Sequence, residues 1–137
     1  PNSSTFKLLV VISLMLTLIQ ICMGTQVRQF VDGQIHYWGL ESPTKWLAEA
    51  PFLFYFHRSF SLIVLLVHLA IAFILFKYRF IPKVFLVIIL LIGLEILTGI
   101  WMYYFDFPYS SQPIHLLLAS LLFGAQTYFM IRIIKQK

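Results

Sequence analysis

The chain has 137 residues, of which 61% are hydrophobic and only 11% charged, and its mean hydropathy is +0.90. Soluble domains are about 45–50% apolar and about 25% charged, so this composition excludes an ordinary soluble domain. The formal net charge of +5 comes from basic residues that form no continuous face. The charge therefore does not indicate a nucleic-acid partner.

Four long apolar stretches follow one another along the chain. A hydrocarbon core about 30 Å thick is crossed by roughly 20 apolar residues in a helix. Continuous apolarity favours helices over barrel strands, in which polar and apolar residues alternate. The sequence therefore predicts an all-α fold, an integral membrane four-helix bundle that occupies residues 1–137 as a single unit. The predicted helices cover approximately residues 6–33, 51–77, 81–105 and 111–134.

The first stretch also resembles the hydrophobic region of a signal peptide, because Lys7 precedes it. No small-x-small cleavage site follows, so we interpret it as a membrane helix, with Gly33 as its expected end. Cys22 is the only cysteine, which rules out an internal disulfide.

The longest connection joins the first two helices. Ser42 and Pro43 are typical of a helix N-cap and first turn, and they predict a short helix through Ala50. The loop is rich in aromatic residues that suit the headgroup layer of a membrane. It either rests on the membrane surface or covers a site at the ends of the helices.

Basic residues are concentrated at one end of the predicted bundle. The positive-inside rule assigns that end to the cytoplasm, so both termini are predicted to be cytoplasmic. The second and fourth helices then run in the same direction, from outside to inside. Seven of the ten basic residues lie at this end: Lys7, Lys77, Arg79, Lys83, Arg132, Lys135 and Lys137.

Two histidines, His57 and His115, lie near the starts of the second and fourth helices. Because these helices are predicted to be parallel, both side chains are expected at similar depth near the outer surface. Imidazole is a standard axial ligand of haem iron. One histidine at a membrane boundary is equally explained as an interfacial polar residue, but two at matched depth favour a shared haem. Zinc or copper would need further ligands with suitable spacing, which the sequence does not offer.

A third histidine and one acidic residue are predicted to lie deeper in the membrane. His68 shares a helix face with His57 and lies about 16 Å further in. We expect it to be a hydrogen-bonded polar residue whose partner is Glu95 on the third helix. By the same arithmetic, Glu95 is expected well over about 10 Å inward of the two outer histidines.

Two arginines lie at the same outer end, Arg28 at the end of the first helix and Arg58 beside His57. A guanidinium group binds a carboxylate in a bidentate fork, so both arginines are candidates to bind the propionates of a haem. The alternative is that both contact only lipid phosphate.

Several short motifs resemble those of the haem A synthase (CtaA-like) family. They occur in this order: GTQVR at 24–28, FHR at 56–58, EILTG at 95–99, Pro108, and PIHLLLA at 113–119. The family usually has Gln-x-x-Leu-Gly in the third motif, so Glu95 and Thr98 depart from its pattern. The resemblance covers essentially the whole chain.

The resemblance implies an enzyme of the bacterial inner (cytoplasmic) membrane that oxidises a methyl group of haem O to the formyl group of haem A, for use in terminal oxidases. It has two pseudo-equivalent four-helix halves, each with a histidine pair. The half with the catalytic glutamate carries Glu-x-x-His-Arg and a cysteine pair in its outer loop. Here Phe54 stands three residues before His57, and the loop has no cysteine. The chain therefore resembles the C-terminal half, in which a haem b serves electron transfer or structure.

The resemblance also implies partners. These are membrane lipid and either the N-terminal half of the same enzyme or a second copy, with a terminal oxidase and haem O synthase as further candidates. Since the sequence begins with Pro1 and not with Met, we expect it to be part of a longer chain. Two alternatives stay open: a non-catalytic b-type cytochrome or assembly subunit of a respiratory complex, and a half-sized synthase that works as an oligomer.

Overall fold

A computed structural model describes residues 3–135 and contains four long helices within them. They are α1 (Ser4–Trp38), α2 (Phe52–Lys77), α3 (Lys83–Tyr104) and α4 (Ser111–Lys135). All four are long and apolar enough to cross a membrane. The predicted all-α, four-helix architecture is confirmed, and the chain is a multi-pass membrane protein. Pro1 and Lys137 lie outside the described residues.

The helices alternate in direction along the chain, so the bundle has two distinct ends. The loop end carries the long α1–α2 connection, residues 39–51, and the α3–α4 turn, residues 105–110. The basic end carries the start of α1, the α2–α3 turn at residues 78–82, and the end of α4. As predicted from the sequence, α2 and α4 both run from the loop end to the basic end.

The helices form a ring in which α1 packs against α2 and α4, and α3 packs most closely against α4. Helices α2 and α3 contact each other least, although the shortest connection joins them. Helices α2 and α4 lie diagonally opposite, and within residues 3–135 their backbones do not come into contact. Any interaction between α2 and α4 is therefore made by side chains that reach across the interior.

The connected apolar core fills the half of the bundle nearer the basic end. Large aliphatic and aromatic side chains from all four helices interlock there, and their packing holds the helices together in a lipid environment. In the loop-end half, glycines and polar side chains share the interior with separate buried apolar residues such as Phe54. The core residues are Phe6, Val10, Ile71, Leu75, Phe85, Ile88, Leu91, Ile92, Leu122, Phe129 and Ile133.

Helix α1 continues past its predicted end. Gly33 lies inside the helix, and the chain leaves helical geometry at Gly39, which has a φ of 79° and donates its N–H to the carbonyl of Ile35 at 2.8 Å. The prediction that Gly33 ends the helix is wrong, because the left-handed conformation that favours glycine is needed only at Gly39. With 35 residues, α1 is about 52 Å long and extends well beyond a hydrocarbon core.

The predicted short helix in the long connection, Ser42 through Ala50, is reduced to a 3-10 turn at Pro43–Lys45. The rest of the connection is held by Trp46, which is buried. Its indole N–H donates to the carbonyl of Gly39 at 3.2 Å, and its ring lies 5.6 Å from the ring of Phe107 in the α3–α4 turn. The connection therefore spans the loop end of the bundle from α1 to the α3–α4 turn.

Candidate functional site

The relative register of α2 and α4 follows from a buried side-chain contact between them. The Nε2 atoms of His68 on α2 and Gln126 on α4 lie 2.7 Å apart. His57 and His115 each precede these residues by eleven positions, which is about three helical turns and roughly 16 Å. His57 therefore lies on the same face of α2 as His68, and His115 lies on the same face of α4 as Gln126. Both histidines are at a similar depth, nearer the loop end.

The hydrogen bonds of His68 define its tautomer. Its Nδ1 lies 2.7 Å from the carbonyl oxygen of Val64, which can only accept, so Nδ1 carries the proton. Its Nε2 then accepts from the amide of Gln126, which also donates to the hydroxyl of Thr17 at 3.0 Å. His68 is thus a hydrogen-bonded polar residue of the bundle, as expected. The prediction that Glu95 is its partner is wrong, because Gln126 occupies that position.

His115 is held by two groups on α3. Its Nδ1 lies 2.7 Å from Oγ1 of Thr98 and 3.3 Å from Oε2 of Glu95. The Thr98 hydroxyl donates its own proton to the backbone carbonyl of Glu95 at 3.0 Å, so it accepts from His115. Nδ1 is therefore the protonated nitrogen, and Nε2 is the nitrogen with a lone pair available to a metal.

The contact with His115 also corrects the predicted depth of Glu95. Glu95 lies nine residues before the end of α3, and His115 lies four residues after the start of α4. At about 1.5 Å per residue, their backbones differ in depth by roughly 7 to 8 Å, a gap that two long side chains bridge. The prediction of more than about 10 Å is therefore wrong, because helix rise gives the separation of backbones and takes no account of side-chain length.

Small and polar residues of α1 surround His57. The side-chain amide of Gln20 donates to the backbone carbonyl of His57 at 3.0 Å. One turn further along α1, Gly24 faces the imidazole so closely that an added Cβ atom would lie 3.1 Å from Cε1 of His57. On α3, Gly99 faces His115 in the same way, with a corresponding distance of 3.8 Å. Each histidine ring therefore packs against a glycine of the preceding helix.

Buried polar atoms without partners gather in the loop-end half of the bundle. Nδ1 of His57 is buried and, within the described residues, has no hydrogen-bond partner. The same holds for Oε1 of Gln20, Glu95 and Gln112. Two imidazoles at matched depth, each packed against a glycine, are a donor set that suits a haem, and His57 and His115 are the residues that would hold its iron.

The two arginines predicted to bind propionates lie at the loop end but have other partners. Arg28 forms an exposed ion pair with Asp32 one turn later on α1, with an Nε to Oδ1 distance of 3.2 Å. Arg58 lies with its guanidinium carbon 5.4 Å from the ring centre of Tyr103 on α3. Exposed ion pairs of this kind contribute only about 0.3–0.5 kcal/mol, so Arg28 remains available to another anion.

The opposite end of the bundle has a different character. An open hollow there is lined by Phe76, Lys77, Arg79 and Ile81. It lies beyond the apolar core and is separate from the histidine layer. Among residues 3–135, no group of three or more His, Cys, Asp or Glu side chains is arranged to hold a metal ion.

Comparison with known families identifies the chain more directly. The model of the COX15-CtaA family, described as cytochrome oxidase assembly protein, matches residues 1–127. The match includes α1, α2, α3 and most of α4, and with them both His57 and His115. Comparisons with curated proteins and with solved structures gave no match. The extent of the family match shows that the chain belongs to the COX15-CtaA family of cytochrome oxidase assembly proteins.

Proposed function

We propose that this chain is the haem b-binding part of a haem A synthase of the bacterial inner membrane, with His57 and His115 as the two axial ligands. The observation that carries the proposal is the register of α2 and α4, which sets the two imidazoles at one depth with Nε2 of His115 available. When bound, a haem with two imidazole ligands supplies one-electron transfer. The chain would then relay electrons or support the fold of the enzyme.

Methyl oxidation is assigned to a different set of helices. Phe54, the residue three positions before His57, is buried and stacks on the ring of Tyr103 with a centroid distance of 5.8 Å. It has no group that accepts or donates a proton. Glu95 approaches His115 at Nδ1, the nitrogen that does not bind the iron. The substrate haem O would therefore bind to the N-terminal half of the same enzyme.

The propionates of the haem are assigned to Arg28 and Arg58. Both arginines lie at the loop end, which is the end of the bundle nearer to His57 and His115. The propionates of a haem bound there could reach them. The Arg58 guanidinium is already oriented by Tyr103, and such contacts still leave its N–H groups free to bind a carboxylate. The Trp46-anchored connection lies over the same end of the bundle.

The haem content of the purified full-length chain tests this function. We expect one haem b per chain, and we expect His57→Ala and His115→Ala each to lose it, because each removes an axial ligand. His36→Ala is the matched control, since His36 is exposed near the end of α1. Retention of the full haem content in both ligand variants would refute the proposal.

The alternatives predict different products. Glu95 brings a carboxyl group next to His115, which is the one observation in favour of a half-sized synthase. We expect the chain, reconstituted with haem O and a reductant, to yield no haem A when the extracted haem is analysed. Formation of the alcohol or formyl product would support the half-sized synthase. If deletion of the chain leaves cellular haem A unchanged, the non-catalytic cytochrome or assembly subunit is favoured.

A further inference from the structure

The two candidate ligands differ in what holds their rings. Nδ1 of His115 donates to the hydroxyl of Thr98 on α3, and a carboxyl oxygen of Glu95 lies 3.3 Å from the same nitrogen. Nδ1 of His57 is buried with no acceptor in the described part of the chain, and its ring packs against Gly24 and interacts with the backbone of Gln20. Side chains of α3 therefore engage Nδ1 of His115, whereas no described side chain engages Nδ1 of His57.

We propose that Glu95 and Thr98 are positioning residues that fix His115 with Nε2 toward the bundle interior and make it the more electron-donating of the two haem ligands. This inference rests on the proposed haem site. It adds that the two ligands of that site are unequal. It also adds that α3, which supplies no ligand, influences the reduction potential of the haem.

The geometry for this role is built into α3. Glu95 and Thr98 are three residues apart and therefore lie on the same helix face. The Thr98 hydroxyl is itself oriented by its bond to the backbone carbonyl of Glu95 at 3.0 Å. Its remaining lone pairs point to Nδ1 of His115, which leaves that nitrogen no role except as donor. The tautomer of His115 is thus determined by side chains of α3.

The electronic consequence follows from the chemistry of imidazole. A hydroxyl oxygen that accepts from the N–H of a ligating histidine increases the electron density on its other nitrogen, and a carboxyl oxygen close to the same N–H acts in the same direction. A more basic ligand stabilises the ferric over the ferrous state, which lowers the reduction potential of the haem. Removal of the Thr98 hydroxyl or of the Glu95 carboxyl should therefore raise the midpoint potential without removal of the ligand.

The burial of these groups makes the effect measurable. The side chains of His115 and Glu95 are only 25% and 16% exposed, so water competes weakly for their hydrogen bonds. One carboxyl oxygen, Oε1 of Glu95, is buried and without a partner among the described residues. A polar group with an unpaired atom in the membrane interior is costly and is a functional candidate for that reason.

The test is a redox titration of the purified full-length chain, with the oxidised haem also examined by electron paramagnetic resonance. Glu95→Leu, which removes the carboxyl group, and Thr98→Val, which removes the hydroxyl, should raise the midpoint potential and alter the low-spin signal. Thr98→Ser keeps the hydroxyl and should retain the potential of the unmodified chain. Thr127→Val is the matched control, because Thr127 also bonds to its own helix, through the carbonyl of Phe123 at 2.8 Å, but contacts neither histidine.

The outcomes separate this inference from the proposed function. If Glu95→Leu and Thr98→Val bind haem with an unchanged potential, the inference is overturned and the haem site stands. A Thr98→Ser variant that behaves like Thr98→Val also overturns it. Loss of haem from Thr98→Val but not from Thr98→Ser, at equal helical content, supports the positioning role. An unmodified chain that binds no haem overturns both the site and the inference.

Discussion

At the level of single residues, the candidate site depends on a few side chains that control the orientation of two imidazoles. The glycines opposite the histidines are not equivalent. An added methyl group at Gly24 would come within 3.1 Å of His57, which is tighter than ordinary van der Waals contact, whereas at Gly99 the distance to His115 is 3.8 Å. Among the described residues, no side chain accepts from Nδ1 of His57 as Thr98 does from Nδ1 of His115, so the position of the His57 ring depends more strongly on the space that Gly24 leaves.

This difference predicts unequal effects of the same substitution. Gly24→Ala should displace the His57 ring and lower haem affinity by about tenfold or more, because ligand orientation is set by its surroundings. Gly99→Ala should change affinity little. Equilibrium titration of the haem-free chain with haem measures both. Gly93→Ala is a further control, since no neighbouring atom lies within 4 Å of the Cβ position there. Equal affinity in the Gly24 and Gly99 variants would contradict the account.

The sequence predicted the candidate ligands but not the groups that orient them. His57 and His115 were recognisable because imidazoles are rare in apolar helices and these two start parallel spans. Glu95 was assigned to His68 because helix rise locates backbones and takes no account of side-chain reach. The departures from the family pattern at Glu95 and Thr98 were visible in the sequence, and both residues contact His115. Their common function was not evident without the α3–α4 register.

At the level of helices, one spacing recurs in three of the four. His57 and His68 on α2, and His115 and Gln126 on α4, lie eleven residues apart on one face. Helix α1 repeats the pattern with small or polar residues that face the interior: Ser13, Thr17, Gln20 and Gly24. This α1 series could have been predicted by the same periodicity argument that was applied to α2 and α4. The contacts across the bundle could not have been predicted in this way. They depend on the register between helices, which is set by loops whose geometry the periodicity does not determine.

The contact of α1, α2 and α4 through Gln126 predicts a role in stability and not in haem ligation. Gln126→Leu leaves Nε2 of His68 buried without a donor, so the free energy of unfolding in detergent should fall by about 1–2 kcal/mol. Ser120→Ala is the control, because Ser120 is exposed and bonds only to Leu116 of its own helix. Haem content should be unchanged in both variants, and loss of haem from Gln126→Leu alone would contradict this division of roles.

At the level of the whole molecule, the two halves of the bundle serve different purposes. The apolar core near the basic end holds the helices together, and the loop-end half contains the histidines, the glycines that face them and most of the unpaired buried polar atoms. The covering connection anchored by Trp46 lies at that end as well. One half of the bundle thus contains the apolar core, and the other contains the polar candidate site. The orientation of this site in the membrane can be tested.

The distribution of basic residues predicts this orientation. Lys77, Arg79 and Lys83 at the α2–α3 turn should lie in the cytoplasm, so the haem site should face the outer side. A reporter inserted after Glu41 should respond as an external segment, and one fused after residue 137 as a cytoplasmic one. The same compartment for both reporters would contradict the predicted topology.

The central claim, a haem held between His57 and His115, is tested most directly by electron paramagnetic resonance of the oxidised, purified chain. The account predicts a low-spin ferric signal typical of two imidazole ligands, which disappears in His57→Ala and in His115→Ala and persists in His68→Ala, because both nitrogens of His68 are engaged elsewhere. Loss of the signal in His68→Ala, or its persistence in either ligand variant, would contradict the claim.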